Sequence, residues 1–351
     1  MAKVAGVDGC RGGWIVVIGD GWPPSSPLEV QVCGTFREVL EVTSDCKAVA
    51  IDIPIGLPAS KPGSAGENGG ASCEPPSQCS GTQGRRGSVP HRDGASDAIP
   101  SSYSRWPRVC DLLAQELLGG KGRSRLFLAP PRETLSAENP AKFQALHQSA
   151  TGVKASLPVW GILPRIREVD AGMTPSLQDR VFEFYPELVW MDLGEMQKPV
   201  SHSLMGAQPF IAKGAFPSKH TGEGIEARLC VLGTAGLSID LHWLTTWKKR
   251  LTGCSKVTRA DVKLDDLLDA VAGLKAAMDF LRYRATCEDQ LASSDQVPRD
   301  KQLASLKLAW EGGAFPFSSF FIMGYHPSRI PRLPPTESPL DSKGLRMEIW
   351  Y

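Results

Sequence analysis

Acidic side chains interrupt the chain where apolar elements are predicted to end. Asp8 closes the first predicted strand just before a glycine-rich turn, and Asp52 breaks the nearly continuous apolar run of residues 48–53. A carboxylate inside an apolar strand costs several kcal/mol of desolvation unless a cation or several hydrogen-bond donors meet it. Asp52 is therefore a candidate functional residue. Asp8 is a second candidate, with the alternative that its side chain only caps the turn.

A third acidic group, Asp265, Asp266 and Asp269, lies on the most regular predicted helix, residues 260–281. At spacings of three and four residues such like charges repel by a few tenths of a kcal/mol each, so another interaction must compensate. The helix dipole favours acids in the first turn, which accounts for Asp265 and Asp266 without any function. Asp269 comes one turn later, on a face that continues with Ala272, Gly273, Ala276 and Phe280. This pattern predicts a packed helix whose acids lie beside a pocket.

Two glutamates flank the end of the strand predicted over residues 179–184, and we expect one of Glu183 and Glu187 to face inward and the other to lie at the surface. Carboxylates on several strand ends and on one helix are the ligands that Mg²⁺ and Mn²⁺ require. Two such ions about 4 Å apart activate a water and stabilise a leaving oxygen in phosphodiester hydrolysis. The acidic residues therefore predict a hydrolytic metal site.

The elements that must position these acids follow a definite order. Strands are predicted over residues 3–8, 14–19 and 28–33, and the glycine-rich segment 9–13 joins the first two as a hairpin. Thr35 caps a short helix that runs to about residue 42, and a buried strand follows over 48–53. Later helices are predicted over 109–118, 139–149 and 260–281, and a further one opens at Pro164. Together these elements predict an α/β fold.

The composition is that of a globular protein: 351 residues, 42% hydrophobic and 22% charged, with no run of the roughly 20 apolar residues that a membrane helix needs. The formal net charge is +1, so any nucleic-acid binding would depend on local basic patches. Nine cysteines are scattered without a Cys-x-x-Cys pair, and the chain opens on a strand where a signal peptide would lie. We therefore expect a cytoplasmic protein with reduced thiols and no membrane association.

Three segments with different compositions predict the domain organisation. Residues 59–106 are rich in Gly, Ser and Pro and poor in Leu, Ile and Val, which predicts a disordered insertion. Residues 1–58 and 107–287 are expected to form one domain around this insertion. Residues 288–351 are expected to be a polar linker and an aromatic tail that packs on the domain.

Several short segments of this chain occur together in a known family: residues 6–14, 50–58, 108–111, 127–132, 161–170, 185–187 and 265–270. On these segments the chain resembles the DUF429 proteins, which are described as predicted nucleases of the ribonuclease H fold. The resemblance implies a ribonuclease H-like mixed sheet, with three antiparallel strands followed by parallel strands, flanked by helices. It also implies acids on the first strand, the fourth strand and the last helix, which is the order found above.

The resemblance further implies roles for individual residues. The metal core would consist of Asp8, Asp52 and Asp269, completed by Asp266 or Glu187. It would bind Mg²⁺ or Mn²⁺ and cleave phosphodiesters of DNA or RNA. The chain departs from the family pattern at Tyr185, where a histidine is usual, so any role of an imidazole there is absent. The long insertion over 59–106 is a second departure.

Five basic residues are candidates for substrate contact: Arg11, Arg165, Arg167, Lys219 and Arg228. Lys219 lies in a segment that also resembles the family and could meet a phosphate, or could simply belong to a turn before a helix. Arg165 and Arg167 either contact substrate or tie loops together. Residues 85–125 and 241–263 carry net charges of +4 and +5 with tryptophans nearby, which fits either a nucleic-acid surface or a solvated one.

Two other classes of function compete with a nuclease. An actin-like ATPase or sugar kinase also begins with an Asp-Gly turn between strands, but it needs a duplicated half, and no second copy of the turn is visible in the sequence. A non-catalytic nucleic-acid-binding protein could keep the same acidic cleft. The choice between DNA and RNA, and the oligomeric state, do not follow from the sequence.

Overall fold

A computed structural model describes residues 2–59, 106–195, 216–250, 261–292 and 340–350. The predicted insertion and most of the predicted linker and tail lie outside these residues. The strands are β1 (Val4–Cys10), β2 (Gly13–Gly19), β3 (Glu29–Cys33), β4 (Ala48–Ile51) and β5 (Val181–Glu183). The helices are α1 (Phe36–Val42), α2 (Val109–Gly122), α3 (Pro140–Thr151), α4 (Leu157–Gly172), α5 (Pro186–Glu195), α6 (Gly222–Thr234), α7 (Leu241–Arg250) and α8 (Leu264–Ala292).

The five strands form one mixed sheet in the order β3-β2-β1-β4-β5. The first three strands in the chain pair antiparallel, and β4 and β5 add to the other side of β1 as parallel neighbours. The predicted mixed α/β sheet flanked by helices is therefore confirmed. The hairpin of β1 and β2 forms at the predicted glycine-rich turn.

Helices cover both faces of the sheet. The face towards α5, α6 and α8 carries Val4, Ile15, Val17, Ala50 and Phe182. The face towards α1 and α4 carries Val7, Trp14, Val16, Val49 and Ile51. Because both faces are buried, the strands read as continuous apolar runs with little alternation, as β4 does in the sequence.

The helix ends test the capping predictions. Thr35 and Asn139 cap α1 and α3 by accepting hydrogen bonds from main-chain N–H groups three residues later. The predicted start of a helix at Pro164 is wrong, because α4 begins at Leu157 and Pro164 lies inside it. Pro158 occupies the first turn instead. The apolar side chains of α4 that pack on the sheet and on α3 hold the helix together across the missing hydrogen bond.

Helix α8 lies directly against β1 at a contact between two glycines. A Cβ built on Gly6 would collide with the main chain of Ala270 and Leu274, and a Cβ built on Gly273 would lie 2.9 Å from the Cα of Gly6. Only glycine allows the two backbones to approach this closely. The N-terminal end of α8 is thereby fixed beside the carboxyl end of β1.

Residues 340–350 pack against the sheet and the loop that follows β4. The carboxylate of Asp341 accepts hydrogen bonds from Leu57 N at 3.0 Å and from the Arg132 guanidinium. The main-chain N–H of Trp350 donates to Glu183 O at 2.9 Å, and its ring packs edge-on against Phe280. None of the helices within the described ranges is both long enough and apolar enough to cross a bilayer.

We expect Gly6→Ala to lower the free energy of unfolding by about 3 kcal/mol, because the added methyl group would push α8 away from β1. Equilibrium urea unfolding followed by circular dichroism measures this change. Gly233→Ala is the matched control, since Gly233 lies in α6 with open space around it and should gain up to about 1 kcal/mol. A Gly6→Ala protein as stable as wild type would contradict the close contact.

Candidate active site

Asp8 and Asp52 lie side by side at the carboxyl ends of adjacent strands. β1 and β4 pair in parallel up to Val7 and Ile51, and the main-chain N–H of Asp52 donates to Val7 O at 3.0 Å. Side chains alternate between the two faces of a strand, so Asp8 points to the same face as Gly6, towards α8. Asp8 is buried and Asp52 is partly buried.

Helix α8 brings two further carboxylates to this place. Asp269 precedes Gly273 by one turn and is fully buried. Its Oδ1 accepts a hydrogen bond from Trp190 Nε1 at 3.2 Å, and its Oδ2 accepts one from Lys219 Nζ. Asp266 reaches back to accept a hydrogen bond from Lys263 N at 2.8 Å, which satisfies an otherwise unpaired donor at the helix start. The N-terminal turns of α8 thus place Asp266 and Asp269 near Asp8.

The cluster of Asp8, Asp52, Asp266 and Asp269 contains more carboxyl groups than the cations around it can neutralise, so burial favours the protonated form of three of them. Burial, reinforced by the neighbouring Asp52 and Asp269, raises the pKa of Asp8 well above its usual range. Burial also raises the pKa of Asp52 to about 8, in spite of the opposing effect of Lys219, and that of Asp266 to about 6. Among the described residues the Asp8 carboxylate accepts only the N–H of Gly9, at 2.7 Å.

Lys219 is the cation within this acidic cluster. Burial favours its neutral amine, but Asp269, Asp8 and Asp52 outweigh that effect and raise the pKa of Lys219. The side chain is about one-third exposed, at 30%. Lys219 is therefore positively charged, and its ammonium group contacts both the acids of the cleft and solvent.

The acids face a cleft of about 820 Å³. Its acidic lining includes Asp8, Asp52, Asp266 and Glu187, and its basic lining includes Arg11, Arg125, Arg165 and Lys219. The apolar part of the wall includes Phe127, Ile162 and Tyr185. In such a cleft the acids can bind a cation, and the basic side chains can attract an anionic substrate to it.

Glu183 faces inward, but it serves a different part of the site. Both of its carboxylate oxygens accept hydrogen bonds from Arg108, each at 2.7 Å, and Arg108 also pairs with Asp111. Glu183 accepts a further hydrogen bond from Ile55 N at 2.7 Å, while Arg108 donates to Ile55 O at 3.0 Å. Burial raises the pKa of Glu183 to about 7. This buried network fixes the loop after β4 that begins with Asp52.

Glu187 is half-buried. We expect one of the two glutamates to lie at the surface, and neither does. Arg228 holds both of its oxygens at 3.1 and 3.2 Å, and Arg125 lies 3.4 Å from one of them. Arg228 itself is fully buried, with Trp190 and Phe216 against its guanidinium. The ion pair of Arg228 with Glu187 therefore ties α6 to α5 beside the cleft.

The structure brings three of the five basic candidates to the cleft. Arg11 stands at the rim with its side chain 89% exposed, Lys219 lies among the acids, and Arg165 lies over the Trp14 ring with Glu168 as its ion-pair partner. Arg167 and Arg228 do not line it. Arg167 donates to the carbonyls of residues 135 and 137 and so ties loops together.

Three features of the site were not inferred from the sequence. They are the pairing of Lys219 with Asp269, the indole hydrogen bond of Trp190, and the Arg108 network. The sequence carries a signal for the Arg108 network. Arg108 and Asp111 are three residues apart at the start of an otherwise apolar helix, a spacing that allows an ion pair. The other two join elements far apart in the chain.

The donor set fits a hard divalent cation by its chemistry. All of its groups are carboxylate oxygens, and Asp8 and Asp52 are buried or partly buried without an ion pair to the described residues. In the present arrangement no three or more Asp, Glu, His or Cys side chains of the described residues are grouped closely enough to hold a metal. Lys219 lies among them instead. A metal held here would involve Asp8, Asp52, Asp266 and Asp269.

Asp52→Asn should stabilise the metal-free protein increasingly as the pH rises. Below about pH 4 both the folded and the unfolded protein keep the Asp52 proton. Between about pH 4 and 8 the unfolded chain loses a proton that the folded protein retains, so ionisation favours unfolding. The advantage of the variant over wild type should therefore grow to a few kcal/mol near pH 8, measured by urea unfolding in EDTA.

Asp45→Asn is the control for this experiment. Asp45 is exposed, and its hydrogen bond with Lys3 lowers its pKa, so the variant should show no such gain. A melting midpoint that falls in Asp52→Asn would mean that the carboxylate of Asp52 supports the fold.

Arg108→Met should lower the free energy of unfolding by about 3–5 kcal/mol, because it leaves Glu183 and Asp111 buried without their cation. Differential scanning calorimetry and urea titration measure the loss. Arg37→Met, which breaks an exposed pair with Glu41, should cost less than about 0.5 kcal/mol. Equal effects of the two substitutions would argue against the buried network.

Neither a curated protein nor a solved structure matches the chain. Residues 6–290 match the profile of a family described as protein of unknown function (DUF429). The match includes nearly all of the strands, nearly all of the cleft lining and most of α8, in agreement with the resemblance found in the short segments. The chain therefore belongs to the DUF429 family.

Proposed function

We propose that this protein is a metal-dependent, nuclease-like hydrolase of nucleic-acid phosphodiesters. The observation that carries the proposal is the convergence of Asp8, Asp52 and the first turns of α8 on the floor of one cleft. Carboxylates that are buried together need a cation, and the cleft walls supply positive charge for a phosphate backbone.

A ribonuclease H-like identity of the fold is part of the same proposal. Its support is the order of elements, in which three antiparallel strands are followed by a helix, a parallel strand beside β1 and a late helix on the sheet. The acids lie at the ends of the first and fourth strands and on that late helix. The described residues contain one Asp-Gly hairpin of this kind, which gives no support to the actin-like alternative with its duplicated half.

Asp8, Asp52, Asp266 and Asp269 would hold Mg²⁺ or Mn²⁺, and a bound ion would supply an activated water and neutralise charge on the leaving oxygen. In the metal-free protein Asp52 holds a proton near neutral pH, so binding a cation must release it. Arg11 and Arg165 lie where they can bind phosphate oxygens. Phe127, which is 37% exposed, offers a surface on which a base can stack.

We also propose that the protein works in the cytoplasm. Five cysteines carry reduced thiols, Cys10, Cys33, Cys46, Cys110 and Cys230, which agrees with a reducing compartment. Four of them are buried, and burial raises the pKa of Cys10, beside Asp8, to about 12. A thiol in that state is a poor nucleophile, so the reaction is assigned to the carboxylates.

Cleavage of labelled DNA and RNA, single-stranded, duplex and branched, with Mn²⁺ or Mg²⁺ tests the proposal. We expect metal-dependent cleavage that EDTA abolishes and that Asp52→Asn lowers at least about 100-fold, since even residues that only support a metal ligand cost 10–100-fold. Asp45→Asn, far from the cleft, should cleave as wild type does. Binding without cleavage under every metal would favour the non-catalytic alternative.

A further inference from the structure

We propose that Lys219 is a tethered counter-cation that competes with a divalent metal for the carboxylates of the cleft and thereby sets the affinity for the metal. This inference rests on the proposed function, because it concerns the same metal site. It assigns to Lys219 a role in the protein before substrate arrives, in addition to any contact with a phosphate.

The first support is the position of the ammonium group. Lys219 Nζ donates to Oδ2 of the fully buried Asp269, and it is also close enough to Asp8 and Asp52 to affect their ionisation. A divalent cation that uses these carboxylates would lie within a few ångströms of the ammonium. Two positive groups at such a distance repel strongly in a partly buried site.

The second support is the way the main chain holds Lys219 in place. Ser218 O accepts a hydrogen bond from Thr221 N at 3.0 Å, and Arg228 donates to Pro217 O at 3.0 Å. A Cβ on Gly224 would collide with Ser218 O, so the turn can lie this close to α6 only because residue 224 is glycine. The main chain around Lys219 is therefore fixed.

The third support is that the side chain, in contrast, has room to leave. Lys219 is 30% exposed and lines the cleft, so its four-carbon stem can swing towards solvent without any change in the fold. Asp269 would keep its hydrogen bond from Trp190 when the lysine leaves. Exchange of the ammonium for a metal thus breaks one ion pair only.

Titration calorimetry with Mn²⁺ alone tests the competition, without any substrate. Lys219→Met should tighten the dissociation constant for Mn²⁺ by about tenfold or more. Lys219→Arg keeps the charge and should stay near wild type. Lys142→Met is the control: Lys142 is an exposed lysine of α3 that pairs with Glu138, and its replacement should leave the dissociation constant unchanged.

A second variant tests the competition independently, because it displaces Lys219 without replacing it. Gly224→Ala should displace Ser218 and Lys219 from the cluster and also tighten Mn²⁺ binding, whereas Gly233→Ala in the same helix should have no effect. In EDTA, Lys219→Met should melt at a lower temperature than wild type because Asp269 loses its cation, and Mn²⁺ should raise its midpoint more than that of wild type.

The outcomes separate the two proposals. Tighter Mn²⁺ binding by both Lys219→Met and Gly224→Ala supports the competition. If wild type binds Mn²⁺ and Lys219→Met binds it equally well or more weakly, the competition is overturned and the proposed metal site still stands. No Mn²⁺ binding by wild type or by either variant overturns the metal site and the competition with it. If Lys219→Met does not fold, Lys219→Gln and Gly224→Ala decide.

Discussion

The contact of Gly6 with Gly273 is the constraint on which the rest of the site depends. It brings the backbone of α8 against the backbone of β1, and the N-terminal end of the helix against the end of the strand. Every carboxylate of the cluster takes its place from this contact or from the pairing of β1 with β4. Two glycines without side chains thus determine where the acids of distant elements meet.

The two ends of the acidic region are handled in opposite ways. Glu183 has Arg108 as a fully buried partner that satisfies both of its oxygens, and the result is a rigid anchor for the loop after β4. Burial raises the pKa of all three carboxyl groups, but Asp8 and Asp52 have no such arginine partner among the described residues. A protein that only needed a stable fold would gain nothing from two such acids at one strand edge, and this contrast distinguishes the anchor from the cluster.

Much of the scaffold could be predicted from local sequence, because β-branched runs, the glycine-rich turn and the caps Thr35 and Asn139 act over a few residues. The start of α4 could not, since Pro158 and Pro164 give the same local signal and tertiary packing decides between them. The acids themselves were identifiable because each breaks an apolar pattern. Their partners were not: Lys219 is 50 positions from Asp269, and Arg108 is 75 positions from Glu183.

The position of residues 340–350 affects how the protein can fold during its synthesis. Asp341 holds the loop that follows Asp52, and Trp350 completes the edge of β5 and covers Phe280 of α8. The cleft therefore cannot reach its final form on the ribosome until residue 350 has been made, however early the β1–β2 hairpin forms. A nascent chain that stops short of this segment would carry all four acids and still lack the finished lining of the cleft.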